Sequence, residues 1–241
     1  MSDARRAALG ALIDHAPLFP PASLPVPDAI EEDRRARADD QAWMLARLVW
    51  PASKLDELEG EDRALSILLD GPYDGDLRAE AVETHWDAGL DGLHGLHGLH
   101  GEAYVELPLG DGIEEKVAAL AERGFRAKVR CGGAEVPTQH ELGRCLTVCR
   151  EAAVPFKATA GLHHPLAAAG RHGFLNVLAA CAFEDDAALE GAVEVDRSSL
   201  RWNGRRAEAE ELTRVRREQL VAVGSCSFFE PVEDLQELGI L

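Results

Sequence analysis

Between Phe125 and Ala160 the hydrophobic pattern changes period twice. In Phe125-Arg126-Ala127-Lys128-Val129-Arg130-Cys131, apolar and basic residues alternate, so Phe125, Ala127 and Val129 share one strand face while Arg126, Lys128 and Arg130 share the other. Phe156-Lys157-Ala158-Thr159-Ala160 repeats the alternation and sets Lys157 and Thr159 opposite Phe156 and Ala158. Between them the period lengthens. Thr138 and Glu141 have the spacing of a capping box, and Leu142, Cys145, Leu146 and Cys149 form an apolar stripe on a helix that runs through Ala153. The unit is strand, helix, strand, and each strand carries a lysine on its inner face.

The same reading along the chain predicts a helix over Asp3 to Asp14 and a weak, proline-broken first strand over Ala16 to Pro21. A helix from about Pro27 to Ala38 leads to a strand over Ala42 to Trp50, apolar on both faces as buried parallel strands are. Ser53 and Asp56 would cap a short helix to Leu58. Leu65 to Asp70 is the next strand, followed by a helix over roughly Asp76 to Trp86 and a strand over Ala103 to Pro108. Asp111 would cap the helix Ile113 to Arg123, which Gly124 ends. After the second lysine strand, His172 to Val195 reads as helical, Ser199 to Trp202 as a short strand, Arg206 to Leu220 as a helix and Val221 to Phe228 as the last strand. A terminal helix opens at Pro231 and closes at Gly239.

Eight strands separated by helices, with no hairpin signal between them, predict a parallel sheet. A (β/α)8 TIM-like barrel is the expected fold: a single α/β barrel domain over residues 1–241, with an N-terminal helical extension (about 1–15) and a helical insertion (about 166–195). An open doubly wound parallel sheet is the alternative, although no glycine-rich nucleotide turn follows an early strand.

Composition narrows the function. A formal net charge of −18 argues against nucleic acid, whose binding depends on Lys and Arg neutralising phosphates. No apolar run reaches the roughly 20 residues of a membrane span. The apolar stretch Ala7 to Ile13 is followed by Asp14, His15 and prolines instead of a small-residue cleavage site, so a cytoplasmic protein is expected. Five cysteines, an odd number, make no disulfide framework, and Cys145 and Cys149 read as core filling. The repeat Gly92 to Gly101, with histidines at 94, 97 and 100, reads as an expanded, tolerant loop with adventitious metal binding as its other possibility.

The chain contains only four lysines, Lys54, Lys116, Lys128 and Lys157, against 21 arginines, yet two of the four face the interior. Lysine there supplies an amine that can lose its proton, which arginine cannot. In a barrel, neighbouring strands lie about 4.8 Å apart, which makes Tyr104 and Glu106, Lys128 and Arg130, and Lys157 and Thr159 three adjacent columns. Lys157 is then the candidate nucleophile, its pKa depressed by Lys128. Glu106 shuttles protons, and Arg130 holds a carboxylate or phosphate. His163, just beyond, is a candidate acid or base. His164, His172, Asn176, Ser225, Ser227 and Asp70 complete the expected substrate-binding set, with Ser225 and Ser227 near the usual phosphate position of a barrel. The expected ligand is a small anionic carbonyl metabolite, with no cofactor and no metal, and a homo-oligomer is possible. Two other readings remain: a metal enzyme using His163 and His164 with His172, Glu106 or Asp70, or a non-catalytic barrel whose interior charges only neutralise one another.

Lys157-Ala158-Thr159-Ala160-Gly161 resembles the strand of deoxyribose-phosphate aldolase and related Schiff-base barrel aldolases that bears lysine, a small residue, Ser or Thr, another small residue and glycine. The resemblance implies that Lys157 is a Schiff-base nucleophile on a sixth strand. Lys128-Val129-Arg130-Cys131-Gly132-Gly133 is similar to that family's second lysine strand, here preceding the first.

Overall fold

The computed structural model describes residues 3–58, 63–71, 79–88, 101–133 and 136–241. Eight parallel strands close into a barrel, in chain order around the ring: β1 (Ile13–His15), β2 (Leu45–Pro51), β3 (Leu65–Leu68), β4 (Ala81–His85), β5 (Glu102–Leu107), β6 (Arg126–Arg130), β7 (Phe156–Thr159) and the last barrel strand, which then pairs with β1. That last strand is β11 (Leu220–Ser225), because β8 (Val193–Val195), β9 (Leu200–Trp202) and β10 (Arg205–Ala207) form a separate antiparallel sheet. The (β/α)8 barrel predicted from the alternation of strands and helices is the fold.

Two of its strands are not the expected ones. The first is Ile13–His15, overlapping the end of what reads as a helix over Asp3 to Asp14 and preceding the expected strand over Ala16 to Pro21; α1 covers only Ala4–Leu9 and Gly10 caps it. The prolines after Ala16 end the strand instead of filling it. The segment 81–85, expected within a helix, is β4, held by parallel pairing to β3 and β5 on either side. Conversely, Leu200–Trp202 belongs to the small sheet. Its hairpin turns at Asn203-Gly204, both with positive φ (47° and 73°), the conformation that an Asn-Gly turn favours. Lys157 therefore lies on the seventh barrel strand, and Lys128 on the sixth. The region expected as a helical insertion holds α5 (Phe174–Phe183), then a 3-10 turn over Asp186–Leu189 and β8. The histidine repeat lies outside the described residues, apart from Gly101.

The remaining helices are α2 (Val26–Ala38), α3 (Ile113–Arg123), α4 (Gln139–Glu151), α6 (Ala209–Glu218) and α7 (Phe229–Glu237). Thr138 and Glu141 make the reciprocal capping box on α4, and Gly124 ends α3 at φ 66°. Asp111 does not cap α3: the cap is Gly112, and Lys116 Nζ binds the Asp111 carbonyl at 2.9 Å. Leu142, Cys145, Leu146 and Cys149 of α4 pack with Val129, Phe156 and Ala158 in the layer between helices and barrel. Ala127, Val129, Phe156 and Ala158 point outward into that layer, leaving Lys128 and Lys157 to the barrel interior. At the N-terminal end, Arg216 fastens the ring closure. Its guanidinium donates to the carbonyls of Ala8, Gly10, Ala11, Leu220 and Val221. No helix among the described residues is long and apolar enough to cross a membrane.

Candidate functional site

The interior charges form one alternating chain that rises from the barrel's centre to the C-terminal rim. Asp14 of β1 accepts from Lys157 Nζ at 2.5 Å, and Lys157 also donates to Glu83 Oε1 of β4 at 2.6 Å. Glu83 Oε2 meets Lys128 Nζ at 3.1 Å, Lys128 meets Glu106 Oε2 at 3.0 Å, and Glu106 Oε1 lies 3.5 Å from both Arg130 Nη1 and His85 Nδ1. Side-chain exposure climbs along this chain: 0 % for Asp14 and Lys157, 2 % for Glu83, 9 % for Lys128, 13 % for Glu106, then 50 % for Arg130 and 53 % for His85. The register explains the contacts, since Glu106 pairs with Lys128, Lys128 with Lys157, and Arg130 with Thr159.

Three predicted columns are thus adjacent, but two acids that organise them were not foreseen. Burial opposes charging Lys157, yet the carboxylates of Asp14 and Glu83 overcome that and raise its pKa above that of an ordinary lysine. The expected depression by Lys128 does not occur, because Glu83 stands between the two amines. Burial likewise opposes the Glu83 charge, but Lys157, Lys128 and the Ser66 hydroxyl at 2.7 Å hold its carboxyl far below the usual range. Glu106 is lowered in the same manner: burial acts against it, and Lys128 outweighs the burial with help from His85 and Arg130. The Tyr104 ring lies 5.5 Å from Lys157 Nζ. Its hydroxyl donates to Glu102 at 2.7 Å, and burial with that carboxylate pushes its pKa up to about 12.

Glu106, Arg130 and His85 open on a cavity of about 520 Å3, lined also by Trp86, Val136 and Glu141. A second cavity of about 380 Å3 shares Val136 and Pro137 with it and is walled by the small residues 167–170. The glycines of the two lysine motifs have a packing role. A Cβ on Gly132 would stand 3.0 Å from the Gly161 Cα, and one on Gly161 would stand 3.0 Å from the Gly132 Cα, so the loops leaving β6 and β7 touch backbone to backbone. Ala160, at φ 57°, turns the chain sharply at the rim.

The other predicted residues are not gathered here. His163 contacts Ser225 Oγ at 3.2 Å, Cys226 Sγ at 3.6 Å and Glu230 at 3.7 Å; burial and the neighbouring His164 lower its pKa against the pull of Glu230. His164 pairs with Asp234 at 2.6 Å. His172 Nε2 is 2.8 Å from the Pro137 carbonyl. Asn176 is consumed by the Ala167 amide and the Ala188 and Gly191 carbonyls, a structural tie. Asp70 accepts from the amide and hydroxyl of Ser53 at the exposed edge of the barrel, so Ser53 serves Asp70 and not the predicted cap with Asp56. Among the described residues no three His, Cys, Asp or Glu side chains converge as a metal-ligand set. Asp14 sits on a three-residue strand too short to show a period, and Glu83 in a segment whose residues also fit a helix, although Val82 and Thr84 alternate around Glu83 as in a strand.

A closed parallel barrel with an acid–base chain running to its C-terminal rim belongs to an architecture whose enzymes keep their chemistry at that end. The chain matches no protein-family model and no curated protein.

Proposed function

We propose that this barrel is a lyase-like enzyme acting on a small anionic carbonyl compound through a lysine Schiff base, with Lys128 as the amine. One observation carries the reading: Lys128 Nζ is 3.0 Å from Glu106, which lines the open cavity, whereas Lys157 is sealed between Asp14 and Glu83. Glu106 takes a proton from the Lys128 ammonium, and the free amine adds to the substrate's carbonyl carbon. The carbinolamine hydroxyl then leaves as water with the proton returned by Glu106, and a protonated imine remains. That cation receives the electron pair freed when a bond at the adjacent carbon breaks. His85, half exposed beside Glu106, relays protons to solvent, and Arg130 holds the substrate's anion. Lys157 keeps its proton throughout and fixes Glu83, making it a positioning residue. Five free, buried cysteines fit a reducing, cytoplasmic setting.

The test is borohydride trapping with small keto acids and sugar phosphates, read by intact mass and peptide mapping. The expected product is a reduced adduct on Lys128 that disappears in Lys128→Met. An adduct on Lys157 would move the nucleophile to β7. No adduct with any compound, while a known aldolase labels in parallel, refutes the Schiff base. The complete pairing of Lys157 favours a second reading, a non-catalytic barrel with a structural charge network, which expects that last outcome.

A further inference from the structure

The last barrel strand ends at Ser225, and Cys226 to Phe228 lead directly into α7 at Phe229. In barrels of this kind that corner often seats a phosphate on backbone amides at a helix N-terminus. Here a carboxylate of the chain itself occupies it. α2 crosses the start of α7, with the Arg35 guanidinium 4.9 Å from the Phe229 ring centroid, and delivers Glu32 to the corner. Glu32 Oε1 lies 3.4 Å from His15 Nε2, and His15, with smaller help from the Ser227 hydroxyl and the Phe228 amide, holds the Glu32 carboxyl below the usual range against burial. Both hydroxyls expected to bind phosphate are engaged: Ser225 Oγ donates to the Ser227 carbonyl at 2.6 Å, and Ser227 Oγ accepts from the Glu230 amide at 3.3 Å. Glu230 and Asp234 add two further carboxylates, turned toward His163 and His164. A phosphate there would meet three negative charges.

The rim at Arg130 has the opposite character. Its guanidinium lies against Gly133, where φ is +104° and a Cβ would come within 3.0 Å of Nη2. Among the described residues its ion-pair partner is Glu106 alone, at 3.5 Å. Thr159, its register neighbour on β7, is 8 % exposed and faces the barrel interior above Lys157; its hydroxyl has no hydrogen-bond partner among the described residues. A planar cationic fork on one strand and an unsatisfied buried hydroxyl at the paired position of the next suit a single carboxylate. Lys128 and Arg130 are two residues apart on one strand, roughly 6.6 Å along it, close enough for a carboxylate attached directly to the carbonyl carbon.

We infer that the substrate's anionic group is a carboxylate held by Arg130 and Thr159, and that Glu32 fills the place where a phosphate would bind, so the barrel accepts small 2-oxo acids and rejects phosphorylated compounds. The 2-oxo part rests on the Schiff-base reading; the choice between the two anions does not.

The test measures melting temperature and equilibrium dialysis at constant ionic strength, with pyruvate and with inorganic phosphate, on the intact chain and on Arg130→Met, Glu32→Ala and the isosteric Glu32→Gln. Pyruvate at a hundredfold excess over its Kd should raise the melting temperature of the unaltered chain by roughly 5–10 °C, and Arg130→Met should abolish the shift. Phosphate should leave the unaltered chain unmoved and bind Glu32→Ala or, if that variant does not fold, Glu32→Gln. Phosphate binding to the unaltered chain, pyruvate binding that survives Arg130→Met, absence of any pyruvate binding, or failure of both Glu32 variants to gain phosphate would each overturn the inference. Arg130-dependent pyruvate binding without a trapped adduct would sink the Schiff base and leave the carboxylate site standing.

Discussion

Replacing Lys157 with methionine removes the one cation among the described residues that touches both Asp14 and Glu83. The volume is nearly kept, so the perturbation is almost purely one of charge. Among the described residues, Glu83 retains Lys128 at 3.1 Å and Ser66 at 2.7 Å, while Asp14 keeps only the Arg47 amide at 3.2 Å as a direct partner. Asp14 is therefore the orphan. Stripping one partner from a buried pair costs about 3–5 kcal/mol. The Arg47 guanidinium also feels the Asp14 charge and softens the loss, which places the expected value near the lower end, about 3 kcal/mol. For a chain of this size that lowers the melting temperature by roughly 6–12 °C. Asp14→Asn combined with Lys157→Met restores charge balance, and the pair should recover about 1–3 kcal/mol relative to the sum of the single changes. Urea unfolding followed by tryptophan fluorescence, at constant m-value, measures all three variants. A single-variant cost below about 1 kcal/mol, or strict additivity in the double variant, would refute the view that this pair is tightly coupled inside the barrel.

Acid should act through Glu83: its folded pKa is depressed, so its contribution is present above the ordinary carboxylate value of 4.5 and is lost as pH falls toward the folded value. Unfolding curves of Glu83→Gln should flatten below pH 4.5 relative to the unaltered chain. His15 shows the reverse sign. Burial opposes its charge but Asp33 and Glu32 raise its pKa, so its contribution is full below 6.5 and is lost as pH rises through the folded value; His15→Gln should remove that dependence in the same titration. Gly161→Ala places a Cβ 3.0 Å from Gly132 at φ +72° and should cost about 1–3 kcal/mol in urea unfolding. Arg216→Met leaves five backbone carbonyls without their guanidinium and should cost at least about 3 kcal/mol, with hydrogen exchange rising first at β1 and β11.

The lysine strands were legible because each obeys period two over at least five residues, and the Thr138–Glu141 box because both of its bonds are local. Local pattern also sufficed for the barrel, since six of its eight strands, β2, β3, β5, β6, β7 and β11, lie where the apolar and period-two runs predict them. It failed at β1, where Ile13-Asp14-His15 is only three residues long and charged on both faces: Asp14 turns inward to Lys157 and His15 outward to Asp33 and Glu32. It failed again at β4, whose Ala-Val-Glu-Thr-His suits helix or strand until β3 and β5 pair with it. Sequence alone thus determined that two lysines face the interior of a parallel barrel. Which of them is locked and which reaches the rim was decided only by the tertiary structure, because Asp14 and Glu83 lie 143 and 74 residues from Lys157 along the chain and meet it only when the ring closes.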